Sequence, residues 1–181
     1  MFLLDEGSDP GPGRVFTHHS CATVVRAAAD VAAYVLDPTT MPHWSAVIYE
    51  VEAPDESVFR PGGRLRGRMH ILGVSLPVEG EMVEFDPAGM RASILVRPVG
   101  GDGLLEHELA VEDLGDASVL HFRNRLTLPP WIPHEVVADH LVRHLLDQTS
   151  SFALANIKHI LESSGESRVR SFVDLARAYL E

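Results

Sequence analysis

The sequence predicts an α+β fold, an antiparallel sheet of about seven strands packed on one long helix near the C-terminus. Three observations carry this expectation. Six strand-like stretches follow one another between residues 46 and 128, separated by hairpin-type turns. A further β-rich stretch, Arg14–Arg26, precedes them. After Pro129, Pro130 and Pro133, neither proline nor glycine interrupts the chain before Gly165, which leaves room for about eight helical turns.

The elements follow in order. Residues 1–13 carry Gly7, Pro10, Gly11, Pro12 and Gly13 among acids and read as a flexible tail. Arg14–Arg26 is the first strand. Ala27–Leu36 is a short helix with Asp30 as its candidate cap and Val31, Tyr34 and Val35 as its apolar stripe. Pro38 and Pro42 bracket a second turn that ends at His43-Trp44. Strands are expected at Ala46–Val51, Gly63–Leu72, Val78–Phe85, Arg91–Val96, Leu104–Val111 and Ser118–Leu128. Pro61-Gly62-Gly63, Asp86-Pro87-Ala88-Gly89, Gly100-Gly101-Asp102-Gly103 and Leu114-Gly115-Asp116 supply the turns. The long helix is expected from about His134 to Glu162, with Ala138, Leu141, Val142, Leu145, Phe152, Ala153 and Ile160 on its apolar arc. Residues 163–181 form an extension with an amphipathic stripe at Val169, Phe172, Val173, Ala176 and Leu180.

Composition narrows the function classes. The 181 residues carry a net charge of −11, so a nucleic-acid partner is not expected, because phosphate binding needs a basic face. No apolar run approaches the ~18 residues of a membrane span, and the start MFLLDEGSDPGPG has the pattern of neither a signal peptide nor an anchor. A cytoplasmic location is the expectation. Cys21 is the single cysteine, which excludes an internal disulfide, and it reads as a small buried residue. Lys158 is the only lysine among 15 basic residues, a skew that reads as bacterial GC-rich codon usage.

Alternation along each strand sorts the side chains onto two faces. Arg64, Arg66, Arg68 and His70 share a face, as do Glu79 with Glu81, Glu106 with Glu108, and His121 with Arg123 and Arg125. That face reads as a solvated Arg/Glu mosaic with cross-strand ion pairs of small value. The other face is apolar with a few polar insertions.

Several motifs in this order resemble the START-like (SRPBCC) superfamily, in its polyketide cyclase/dehydrase and lipid-transport branch. They are Ala28-Ala29-Asp30-Val31, Asp37-Pro38 with Pro42-His43-Trp44, Pro61-Gly62-Gly63, Val83-Glu84-Phe85-Asp86-Pro87 and Asn156-Ile157-Lys158-His159-Ile160-Leu161-Glu162. The resemblance covers about residues 14–162 and implies a helix-grip fold: a curved sheet wrapped around the C-terminal helix, with an internal hydrophobic cavity. The long helix, with His140-Leu141 and His144-Leu145, also resembles that of bacterial aromatase/cyclases, which fold polyketide chains and use a cavity arginine. The corresponding stretch here, Glu81-Met82-Val83-Glu84-Phe85, holds no arginine. Secondary metabolism is the implied setting.

The polar insertions on the apolar face are the candidate chemistry. His107 is a candidate general acid or base. Tyr49, sharing a face with Val47 and Val51, is a candidate proton donor. Glu84 falls on the face of Met82 if the strand is regular across Val83, and burial there would raise its pKa toward a useful base. Asn124, Thr149 and Asn156 are candidate ligand-orienting groups. Trp44, Met69, Met82, Phe122, Leu145 and Phe152 are the expected apolar lining. Each polar residue has a plainer reading as a core group satisfied by a neighbour. His140, His144 and Asp147 have ligand spacing on a helix but lie on its polar arc, so no metal is expected, and no cofactor. Gly100-Gly101-Asp102-Gly103 does not precede a helix, so it is not a phosphate loop.

Three functional readings follow. The first is an enzyme that holds a hydrophobic, polyketide-like small molecule in the cavity and promotes cyclisation, dehydration or aromatisation. The second is a non-catalytic lipid or polyketide carrier or sensor, which needs few polar groups in the cavity. The third is an interaction protein that forms a homodimer through the Val169–Leu180 stripe.

Overall fold

The computed structural model describes residues 13–163 apart from 72, 102, 131 and 133–136. The tail, Trp131, the expected first turn of the long helix and the amphipathic extension with its dimerisation stripe therefore lie outside the described residues.

Seven strands form one antiparallel sheet. They are β1 (Arg14–Val24), β2 (Ile48–Glu52), β3 (Arg64–Ile71), β4 (Val74–Asp86), β5 (Arg91–Pro98), β6 (Leu104–Asp113) and β7 (Ser118–Leu128). Their order across the sheet is β1-β7-β6-β5-β4-β3-β2. Five successive hairpins thus run from β2 to β7, and the first strand closes the sheet beside the last. The fold class is the expected α+β helix-grip arrangement, with helices α1 (Ala28–Val35) and α2 (Met41–Trp44) between β1 and β2, and α3 (Asp139–Glu162) after β7.

Local chemistry explains the breaks. α1 begins at Ala28 with Ala27 at the cap position and no side-chain cap, so Asp30 is not the cap. It sits in the first turn, where a carboxylate favours the positive end of the helix dipole. Asp37 caps the next turn by accepting from Thr39 N at 2.8 Å, and Pro38 occupies the first position of that turn. β4 starts four residues earlier than expected, because Gly73, at φ +83°, makes a tight turn from β3. Residues 74–76 pair with β3 alone, since β5 ends at Pro98 opposite Val78; Pro77 only accepts on that side, from Val99 N at 2.9 Å, so its missing N–H is tolerated.

Two irregularities bend the sheet. The pairing register shifts between Ile48 and Glu50 and again between Met82 and Glu84. A bulge adds an unpaired residue, increases twist and bends its strand. Close packing on the inner side uses glycine: Gly80 stands opposite Leu65, and a Cβ there would collide with the leucine.

α3 lies in the curve of the sheet and buries Val142, Leu146, Ser150, Ala153, Leu154 and Ile157. Leu141, expected on the apolar arc, is 46% exposed. The main core joins α1, α2 and the second half of α3 to the central strands through Trp44, Met69, Met82, Ile94, Leu120 and Phe122. A smaller cluster of Phe16, Val142 and Leu146 seats the first half of α3 on β1. Both ends of α3 are tied. Arg14 donates to Asp139 Oδ1 at 2.7 Å and to Val137 O at 2.9 Å. At the other end Glu162 accepts from Val25 N at 2.7 Å, and Lys158 donates to Thr23 O at 2.6 Å.

The outer face carries the charges. Glu106 and Glu108 stand opposite Arg125 and Arg123, with ion pairs at 3.8 and 3.4 Å. Both arginines are more than half exposed, so the pairs add little stability. Cys21 is on this face and exposed, not buried, because its place in β1 alternates outward. No helix among the described residues is long and apolar enough to cross a membrane.

Candidate functional site

A cavity of about 60 Å³ lies between the inner face of the sheet and α3. Strands β6 and β7 give it Leu105, His107, Phe122, Asn124 and Leu126, and α3 adds Leu145, Leu146, Thr149 and Ala153. Ser45, Ala46 and Val47 after α2, with Ile71 at the end of β3, complete it. None of these lining residues is charged. The volume holds a few waters and is far below the ~300–1,000 Å³ of pockets that enclose drug-sized ligands.

Pairing builds the polar part. His107 and Asn124 are directly opposite in the β6–β7 ladder, so both point inward at the same level. They are 6% and 2% exposed. The His107 Nδ1 edge is hydrogen-bonded to Asn124 Oδ1. Asn124 Nδ2 donates to Ser150 Oγ of α3 at 2.7 Å, and Ser150 is fully buried. Phe122 stacks on the His107 ring at 5.5 Å between centroids and an interplanar angle of 15°. The other ring nitrogen, His107 Nε2, is buried with no hydrogen-bond partner. Burial lowers the His107 pKa from 6.5 to about 4, against an opposing contribution from the Asn124 hydrogen bond. The imidazole is therefore neutral at pH 7.

Two hydroxyls border the cavity. Thr149 Oγ1 donates back to Leu145 O at 2.8 Å, which leaves its lone pairs to accept. Ser45 Oγ accepts from Val47 N and Ile48 N at 3.2 and 2.9 Å, which leaves its O–H to donate.

The expected site residues separate into four groups. His107, Phe122, Asn124, Leu145 and Thr149 line the cavity. Trp44, Met69 and Met82 are buried core, and Trp44 supports the site from behind, edge-on to Phe122 at 6.0 Å. Asn156 donates to Trp44 O at 3.3 Å and ties α3 to α2; neither it nor Phe152 is among the lining residues. Tyr49 and Glu84 point away. Tyr49 is 45% exposed, and its hydroxyl accepts from Arg68 Nε at 2.8 Å and bonds Ser75 Oγ at 2.6 Å. Those contacts hold its pKa below the usual tyrosine value. Glu84 is exposed and stands opposite Ser93, because the bulge reverses the alternation after Met82. The expected cavity base is thus not in the cavity.

Ser150 and Ser45 are the residues that the sequence reading missed. Ser150 recurs at helical spacing with Val142, Leu146, Ala153 and Ile157, so its place on the buried arc was open to view. Nothing in the sequence marks Ser45.

The outer face has larger hollows. One of about 540 Å³ is lined by Glu52, Arg64, Arg66, Glu79, Glu81 and Arg97, and another of about 490 Å³ by residues including His19, Glu108, His121 and Arg123. Both are open grooves of mixed charge on a twisted sheet. The small cavity is the candidate site, because it is apolar and its lining includes His107, whose buried Nε2 has no partner. Among the described residues no three His, Cys, Asp or Glu side chains converge as a metal-ligand set.

The family model described as "Polyketide cyclase / dehydrase and lipid transport" matches residues 17–162. No curated protein sequence matches the chain. Solved structures are similar at low identity. The Zhui aromatase/cyclase from Streptomyces sp. R1128 aligns at 14% identity and a TM-score of 0.66, over 84% of this chain and 100% of that one. A START superfamily protein from Mycobacterium smegmatis aligns at 18% and 0.58, over 80% and 98%. A truncated norcoclaurine synthase from Thalictrum flavum aligns at 12% and 0.62, over 86% and 98%. At such identities the likeness shows the fold.

Proposed function

The chain belongs to the polyketide cyclase/dehydrase and lipid-transport family, and from that premise we propose that it takes a hydrophobic, polyketide-like small molecule into the cavity between sheet and α3 and promotes its cyclisation, dehydration or aromatisation. The observation that carries the reading is the buried chain Ser150–Asn124–His107, which ends at a buried, unpartnered Nε2 on a histidine that lines an uncharged cavity. A lone buried acceptor in an apolar space is costly unless a ligand uses it.

The chemistry this site favours is orientation. A neutral imidazole whose pKa is about 4 is a weak base. It removes a proton only from an acidic enol, so holding a flexible chain with its reacting carbons together supplies most of the acceleration. Ser45 O–H is positioned to donate to a carbonyl as negative charge develops on it. Admission of such a ligand needs the cavity to widen beyond its 60 Å³, by movement of α3 or of the Ser45–Val47 segment that borders it.

A carrier is the second reading, favoured by the small number of polar groups on the lining. Titration with naphthalene, followed by amide NMR shifts, tests the site common to both. Shifts centred on Leu105, Phe122, Leu145 and Ala153 support it, and shifts confined to the outer groove around Arg64 and Arg97 overturn it. A poly-β-ketone thioester then separates the two readings: an altered product distribution supports the enzyme, and stoichiometric binding with an unchanged distribution supports the carrier.

A further inference from the structure

We infer that Ser150, acting through Asn124, keeps the Nε2 edge of His107 bare, and that the cavity therefore selects apolar ligands carrying an uncharged O–H or N–H donor. This rests on the cavity reading above and adds the ligand class and a positioning residue.

The argument runs along three hydrogen-bonding groups. Asn124 has one donor end and one acceptor end, and the same amide cannot present both to one neighbour. Its Nδ2 donates to Ser150 Oγ at 2.7 Å, so its Oδ1 is turned to His107. An amide oxygen only accepts, so the ring proton of the neutral imidazole is on Nδ1. Nε2 then carries a lone pair and no hydrogen. The ring cannot turn to hide that edge, because Phe122 stacks on its plane and Asn124 holds its other side.

Nε2 is itself buried, so a ligand meets its lone pair only as the cavity widens, and the selection follows from what the ligand then brings. A phenol, alcohol, enol or amide N–H donates to it. A carboxylate brings only acceptors and finds no cation among the lining residues, so it is rejected. A plain hydrocarbon fits the apolar walls but leaves Nε2 unpaired. The control point is on α3, not on the sheet, so the seating of the helix sets which nitrogen of His107 is bare. Ser150 is a positioning residue, since it acts on His107 through Asn124.

Phenol, toluene and benzoate are the probes, titrated into the full-length protein with amide NMR shifts as the readout. The expected result is that phenol binds at least as tightly as toluene and that benzoate does not bind. In an apolar cavity with no acceptor, phenol's buried hydroxyl would instead weaken it about 5- to 150-fold relative to toluene. His107→Leu, which removes the acceptor itself, should impose that penalty on phenol and leave toluene within about twofold. A ¹⁵N long-range correlation spectrum of the wild-type protein should show His107 protonated on Nδ1. Ser150→Ala should give a mixture of the two tautomers and erode the phenol preference. The inference is overturned if the wild-type ring carries its proton on Nε2, if toluene exceeds phenol more than fivefold, if benzoate binds best, or if Ser150→Ala changes neither tautomer nor preference. The cavity reading itself fails on a different result: none of the probes moves the resonances of Leu105, Phe122 or Leu145.

Discussion

His107 should make the protein acid-sensitive below neutral pH. The folded-state pKa is lowered from 6.5 to about 4 because the ring is buried among Phe122 and its apolar neighbours. A depressed folded-state value means that the unfolded chain binds the proton more readily. The stabilisation is therefore complete above pH 6.5 and is lost as pH falls, until the folded form also protonates near pH 4. The whole difference corresponds to about 3 kcal/mol. Between pH 7 and pH 5 alone, integration of the proton uptake gives about 2 kcal/mol, a large share of a marginal stability. Urea unfolding of the wild type and of His107→Leu at both pH values isolates it. The variant leaves Asn124 Oδ1 without its imidazole, which lowers stability equally at the two pH values. Every other side chain is the same in both proteins, so the remaining contributions cancel. The wild type should lose about 2 kcal/mol more than the variant on going from pH 7 to pH 5. Equal losses would refute the claim that His107 is buried and neutral.

Other outcomes follow from the same packing. Met82 is fully buried under the sheet bulge, so Met82→Ala should cost about 2–5 kcal/mol in urea unfolding without changing the slope. Tyr49→Phe and Glu84→Gln should leave naphthalene affinity within about twofold, since both side chains are on the outer face. Leu105→Trp should fill the cavity and abolish naphthalene shifts at Phe122 and Leu145 while circular dichroism stays that of the wild type. Removing either Arg123 or Glu108 should change stability by less than about 1 kcal/mol, as their 3.4 Å pair is half-exposed.

The sequence carried the order of elements because turns and alternation are local. Proline and glycine mark the hairpins, and a period of two marks the inner face wherever a strand is regular. That is why His107 and Asn124 were assigned inward correctly and why their strands bring them opposite each other. The tight turn at Gly73 was hidden because Pro77, three residues into β4, argues against a strand by itself. The size of the cavity was beyond reach, since it depends on how closely α3 settles against β1 and β7.

The two misplaced candidates share one physical cause, and the sequence did contain its trace. Strict alternation from Met82 puts Glu84 inward and Phe85 outward, which buries a carboxylate and exposes an aromatic ring. One extra residue, Val83, reverses this. Val83 is 47% exposed, Glu84 faces out opposite Ser93, and Phe85 packs on the core opposite Ala92. The same occurs in β2, where Ile48 and Val51 both pack on the core at an odd spacing and Tyr49 is left outside. Two apolar positions three apart in a strand cannot both face inward without a bulge. Each bulge also bends its strand. The irregularities that bend the sheet are therefore those that remove Tyr49 and Glu84 from the cavity. What remains inside is neutral: an imidazole, an amide and hydroxyls. A cavity of that composition acts on a ligand by hydrogen bonds and shape, and its selectivity turns on which of those groups is left unpaired.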